Sequence, residues 1–159
     1  LSSKYNNLEF HFIGKVQTNK LRKIVEYFSL IHSVDRFDVL PLIDKFACEL
    51  NKKQNILIQV NIAYEKQKNG IDPVLLDEII KNTLDYKNII LKGLMFMPPY
   101  EDDVSKNISY FNQAAELFHK YKNNTFNILS MGMSHDFKEA VMCGATLVRV
   151  GTSIFGERI

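Results

Sequence analysis

Two hydrophobic periods alternate along the whole chain, and this alternation limits the fold more than any single motif does. Glu9-Phe10-His11-Phe12-Ile13-Gly14 reads as a short aromatic strand, and Leu21, Ile24, Val25 and Phe28 then fall on one helix face at i, i+3, i+4 and i+7. Leu30 to Val34 is a second strand, followed by helical spacing at Ile43, Phe46, Ala47 and Leu50, with Pro41 tolerable in the first turn. Asn55 to Ile62 is β-branched and bounded by polar residues, as a strand should be. Asp72-Pro73 reads as an N-cap followed by a first-turn proline for a helix burying Leu76, Ile79, Ile80 and Leu84. Ile89 to Met97 is a fourth strand stopped by Pro98-Pro99, and Phe111, Ala114, Ala115 and Phe118 mark the longest helix. Phe126 to Ser130, a short helix through Phe137, Ala140 and Val141 with Gly144 as its C′ residue, and Thr146 to Val150 complete the series.

Six strands alternating with five helices, without a linker or compositional break, mean a parallel sheet covered by helices. An open doubly wound sheet and an arc of a (β/α)8 barrel both satisfy that pattern. No Gly-x-Gly-x-x-Gly follows an early strand, which weighs against a dinucleotide fold and favours the barrel. A (β/α)8 barrel runs to ~250 residues over eight βα units. Six strands in 159 residues are three-quarters of one. The chain starts at Leu1 rather than a methionine, so the expectation is a single domain, 1–159, forming the C-terminal three-quarters of a barrel.

Composition narrows the partners. Hydrophobic residues make up 46% and charged residues 24%, which is ordinary for a globular chain. The net charge of +2, with acids and bases interspersed, argues against nucleic acid or an anionic membrane as main partner. No apolar run approaches the ~20 residues of a membrane span, and the opening residues do not read as a signal peptide. Cys48 and Cys143 have no metal-ligand spacing and read as small core residues of a reduced, cytoplasmic protein. No metal constellation and no Ser-His-Asp set can be assembled.

In a barrel, chemistry sits in the loops after the strands, and phosphate is frequently held by the loops after the last two. Those loops here are Met131-Gly132-Met133-Ser134 and Gly151-Thr152-Ser153. Small residues let a backbone approach an anion, and hydroxyls and N–H groups donate to its oxygens. Taken singly, Ser134 reads more readily as the N-cap of the following helix and Gly-Thr-Ser as a plain turn; found together at the two expected loops, they favour an anion site. Arg149 lies within the last strand, with alternation pointing it opposite to Val148 and Val150. A guanidinium inside a sheet needs a partner, so a salt bridge to a barrel carboxylate and a ligand contact both remain open. His11 and His32 read as satisfied core histidines, Asn61 as a site residue or a sheet cap, and Lys15, Lys20 and Lys68 as solvated loop lysines on the face carrying the site. Asp72 and Glu139 form no evident acid–base pair.

Several blocks of residues resemble the pyridoxal phosphate homeostasis protein family, relatives of the alanine racemase barrel. They are His11-Phe12-Ile13-Gly14 with Gln17-Thr18-Asn19-Lys20, Lys68-Asn69-Gly70-Ile71, Gly93-Leu94-Met95, Ser130-Met131-Gly132-Met133-Ser134 with Asp136, and Val148-Arg149-Val150-Gly151-Thr152-Ser153-Ile154-Phe155-Gly156. Val16 stands where the family often has leucine, and His135 where an acidic residue is common. The resemblance implies a (β/α)8 barrel of the alanine racemase N-terminal-domain type with pyridoxal 5′-phosphate at its mouth. It implies Ser134, Gly151 and Thr152, with Met133 beside them, at the phosphate, and Arg149 facing the pyridine nitrogen. An arginine there disfavours protonation of that nitrogen and makes the ring a poorer electron sink. That suits a carrier or regulator in intracellular cofactor homeostasis better than an enzyme. A racemase of the same cofactor class and a remnant that binds nothing are the alternatives. The resemblance further implies pyridoxal-phosphate-dependent apo-enzymes as partners and an intact protein that is a monomer. It places the Schiff-base lysine on a strand preceding Leu1, so the chain is expected to contain no catalytic residue.

Overall fold

The computed structural model describes residues 8–64 and 69–156. Six strands, β1 (His11–Phe12), β2 (Leu30–Val34), β3 (Gln54–Val60), β4 (Ile89–Phe96), β5 (Ile128–Met133) and β6 (Leu147–Arg149), form one parallel sheet in the order β1-β2-β3-β4-β5-β6. Helices α1 (Leu21–Tyr27), α2 (Leu40–Glu49), α3 (Leu76–Thr83), α4 (Asn107–Tyr121) and α5 (Phe137–Met142) join successive strands, and α6 (Thr152–Phe155) follows β6. A doubly wound sheet reverses its strand order at a switch point. This one never reverses, so of the two architectures open to the pattern it is the barrel arc.

The strands have two faces of different character. Ile31, Ile56, Ile58, Leu94, Phe96, Leu129 and Met131 point outward into the main core beneath the helices. Residues one step along, Leu30, Leu57 and Met95, form a separate cluster on the inner face with Met97, Ile128 and Leu147 packed against it. The sheet is strongly curled. His32 on β2 lies 2.9 Å from Ser130 on β5, although two strands separate them in the sheet. In a flat sheet those strands would be ~14 Å apart, three inter-strand spacings.

Local chemistry places most boundaries. Asp72 accepts a hydrogen bond from the Val74 N–H and caps the 3-10 turn that leads into α3, as its sequence position implies. Gly144, at φ +96°, ends α5 with a Schellman pair, Gly144 N–H to Val141 O and Ala145 N–H to Ala140 O. The pairing of β4 with β5 depends on Gly93 at φ +148°, where a Cβ would overlap the Ile128 carbonyl.

Several expectations change; Leu84, expected on the buried face of α3, is 81% exposed because it lies past the last turn as the C-cap residue. The fifth strand spans Ile128–Met133 rather than Phe126 to Ser130, because Gly132 is a packing glycine and not a loop residue: a Cβ there would come within 2.6 Å of the Ala140 Cβ on α5. Asp136, not Ser134, is the N-cap residue of α5. Gly151-Thr152-Ser153 is not a plain turn but opens a sixth helix, α6. Cys48 is exposed rather than a core residue, since it sits about 100° around α2 from buried Ala47; Cys143 is partly buried.

Candidate functional site

The inner face of the sheet, chiefly β4, β5 and β6, and the loops beyond them line an open cavity of about 670 Å³. Met133, Ser134, Arg149, Gly151 and Thr152, the five residues singled out in the sequence, all line it, as do His11, His32, Met95, Met97, Tyr100 and His135.

Ser134 ties the two end loops together. Its Oγ accepts from the Gly151 N–H at 2.9 Å and more weakly from the Ser153 N–H at 3.4 Å, while Ser153 Oγ donates to the Ser134 carbonyl at 3.3 Å. Two backbone donors from the loop after β6 thus converge on one oxygen from the loop after β5. A Cβ built on Gly151 would meet nothing within 4 Å, so the space beside that backbone is open. No hydrogen bond ties the Thr152 hydroxyl to another described residue.

Asp136 fixes the loop that carries Ser134. The side chain is fully buried, its Oδ1 accepts from the Met133 N–H at 2.7 Å, and its Oδ2 accepts from Asn107 Nδ2 at 3.1 Å. His135 Nε2 lies 3.5 Å from the same Oδ2, and the His135 ring stands 5.6 Å from that of Tyr100 at the cavity wall.

Among the described residues Arg149 pairs with no carboxylate. Nη1 donates to Ser130 Oγ at 2.7 Å and Nη2 to the Phe96 carbonyl at 3.0 Å. Both acceptors are neutral, and the salt-bridge alternative is not realised. Burial pushes the guanidinium down to about 10, against an opposing pull from Asp136, so it stays charged at neutral pH. Five N–H donors serve two acceptors, which leaves the group able to donate into the cavity.

Beyond Arg149 the polar contacts continue across the inner face. Ser130 Oγ lies 2.9 Å from His32 Nδ1, and His32 Nε2 lies 3.2 Å from His11 Nδ1. Burial, then the neighbouring His11 and Arg149, push His32 down to about 3. It is a satisfied buried histidine, as its strand position implies, but its partners make it part of the cavity wall. Ser130 was not marked by the sequence, because its partners come from β2 and β6 and only the curl brings them together. Asn61 does not line the cavity and hydrogen-bonds through its N–H to the Ile71 carbonyl. Lys15 and Lys20 are exposed and do not line it, and Lys68 lies outside the described residues. Among the described residues no His, Cys, Asp and Glu group could hold a metal ion, and no helix is long and apolar enough to cross a membrane.

The chain matches one protein family over almost its whole length. Residues 4–159 match the family described as alanine racemase, N-terminal domain. The chain is 42% identical over 156 residues to the pyridoxal phosphate homeostasis protein of Aquifex aeolicus, covering 96% of this chain and 68% of that protein. It is 39% identical over 154 residues to the protein of the same name from Escherichia coli, covering 95% and 65%. The chain therefore spans about two-thirds of the length of these curated relatives. Among solved structures, PipY of Synechococcus elongatus with pyridoxal phosphate bound superposes with a TM-score of 0.85 at 34% identity, covering 98% of this chain and 74% of that one. Alanine racemase of Clostridium difficile shares the fold, with a TM-score of 0.70 at 16% identity.

Proposed function

The chain belongs to the alanine racemase N-terminal domain family, in the company of the pyridoxal phosphate homeostasis proteins, and on that premise we propose that its cavity holds pyridoxal 5′-phosphate for storage or delivery rather than for turnover. The observation that carries this reading is the convergence of Ser134 with the Gly151 and Ser153 N–H groups at one end of a cavity whose inner wall presents Arg149.

The residues present fit the cofactor at both of its ends. A cavity of about 670 Å³ is within the range of ordinary small-molecule sites. At the phosphate end, the Ser134 oxygen already occupies a point where two backbone donors meet, and a phosphate oxygen asks for the same geometry. The Ser134 hydroxyl can itself donate to a second oxygen, and Thr152 supplies another hydroxyl. At the ring end, Arg149 is a fixed donor with no acceptor capacity, which suits an unprotonated pyridine nitrogen. When bound, the cofactor supplies an electrophilic carbonyl for amines. With the ring nitrogen unprotonated, electron withdrawal from that carbonyl is weak, which favours holding over catalysis. His32 supports the same reading: a buried neutral imidazole with both nitrogens engaged is poorly placed to shuttle protons. Delivery to pyridoxal-phosphate-dependent apo-enzymes is the partner relationship this function implies.

Equilibrium dialysis against pyridoxine 5′-phosphate, which has no aldehyde, isolates the phosphate and ring contacts. Binding should be saturable, and Ser134→Ala and Arg149→Ala should each weaken it about tenfold, the loss of one hydrogen bond to a charged group. Binding that is undetectable in the unaltered chain, or unchanged in both variants, overturns the reading.

A further inference from the structure

Four side chains on the inner face form an unbroken polar chain, Arg149–Ser130–His32–His11, drawn from β6, β5, β2 and β1. Donors and acceptors along it can be assigned. An arginine only donates, so Ser130 Oγ must accept from Nη1. Ser130 is fully buried, and apart from Arg149 its hydroxyl meets only His32 Nδ1. If His32 carried its proton on Nδ1, two donors would face the Ser130 oxygen and the hydroxyl proton would be buried without an acceptor. If the proton sits on Nε2, every group is satisfied: Ser130 donates to His32 Nδ1, and His32 Nε2–H donates to His11 Nδ1 at 3.2 Å. A neutral His32 agrees with its low pKa of about 3. The charged groups at the two ends are Glu9, whose Oε2 lies 3.8 Å from His11 Nε2, and Asp136 on the far side of Arg149.

We propose that Ser130 and His32 are positioning residues that act through Arg149, by turning the Ser130 lone pair toward the guanidinium and so presenting a rigid, donor-only group to the cavity. The proposal rests on the cofactor reading above for its ligand, a ring whose nitrogen stays unprotonated, but the orientation of the chain does not depend on that reading. His32 sets the direction, Ser130 transmits it, and Arg149 delivers it. Because Arg149 also donates to the Phe96 carbonyl at 3.0 Å, its plane is fixed at two points, and loss of Ser130 releases one of them.

The test has a ligand-free and a ligand-bound arm. Without ligand, ¹⁵N spectra of the chain should place the His32 proton on Nε2 and show slowly exchanging Arg149 Nη signals that average in Ser130→Ala. A proton on Nδ1, or unaltered Arg149 signals in Ser130→Ala, overturns the proposal whether or not the cofactor reading survives. With pyridoxine 5′-phosphate bound, the near-ultraviolet band of the ring reports protonation of its nitrogen. Ser130→Ala and His32→Leu should raise the pH midpoint of the bound ring by about one unit, a tenfold change, toward that of free ligand. His32→Asn places an acceptor oxygen near the position of Nδ1 and should restore the original midpoint. Weakened binding with an unmoved midpoint in Ser130→Ala and His32→Leu would mean a merely structural role and sinks the idea. If His32→Leu fails to fold, Ser130→Ala and His32→Asn carry the comparison. Failure of the unaltered chain to bind the probe is a failure of the cofactor reading, and the ligand-free arm then decides the proposal.

Discussion

His32 should give the folded chain a sensitivity to acid. Its folded-state value of about 3 lies below the ordinary 6.5, so the native state stays unprotonated where the unfolded state takes up a proton. Between those limits the unfolded chain binds more protons, so stability rises with pH and is lost as pH falls from about 6.5 toward 3. The limiting slope is about 1.4 kcal/mol per pH unit. Urea unfolding of His32→Asn across that window should show a shallower slope than the unaltered chain; an identical slope would remove His32 as its source. What the sequence showed of this residue was its burial, because its place inside the Leu30 to Val34 strand is local information. What it hid was the partner: Ser130 is 98 residues away, and a serine in a strand carries no sign of the arginine and histidine that a curled sheet will fold onto it. Arg149 was the reverse case, conspicuous because a charge in a strand demands a partner, yet ambiguous until its two neutral acceptors were seen.

At the scale of elements, β5 and the segment into α5 decide whether the Ser134 end of the cavity exists. Gly132 lets α5 pack directly on β5, and its φ of +88° is strained for any other residue. Gly132→Ala should therefore cost about 3 kcal/mol, measured as a shift in the denaturant midpoint. It should also weaken pyridoxine 5′-phosphate binding by displacing Ser134. Asp136 is the second support. Asp136→Ala would strand the Met133 N–H and the Asn107 amide without acceptors, at about 1–3 kcal/mol. If that variant unfolds at the same denaturant concentration as the unaltered chain, the buried carboxylate is not what holds the loop. The longer strands and helices were legible because β2 to β5 and α1 to α5 each run over five or more residues. The end of β5 was not, because glycine and serine carry the same letters in a loop as at a close packing contact. Nor was α6, a single turn too short to show a period at all.

Among the described residues the molecule is a curled sheet with two unpaired sides. Among the described residues β1 pairs only with β2, and β6 only with β5. Each outer edge is flanked by exposed apolar side chains, Phe10 and Ile13 beside β1 and Ile154 and Phe155 beside β6, the last 85% exposed. Unpaired backbone groups next to apolar surface are the condition under which sheet edges recruit other chains. The fold class was legible at this scale, since six strand signals in strict alternation with helices already specify a parallel sheet, and the absence of a dinucleotide glycine motif pointed to the barrel arc. Which side chains the curl brings together was not, because that depends on twist summed over all strands and no single residue records it. The open sides predict that the 159-residue chain self-associates at micromolar concentration, with an apparent mass in sedimentation velocity that rises with loading. Ile13→Lys beside β1 and Phe155→Lys beside β6 should lower that mass, because a charge flanking an edge must be desolvated when a second strand docks. The His32-dependent acid slope should be unchanged in both. A sedimentation coefficient independent of concentration in the unaltered chain would show that the edges are covered, and the argument from strand pairing would then fail.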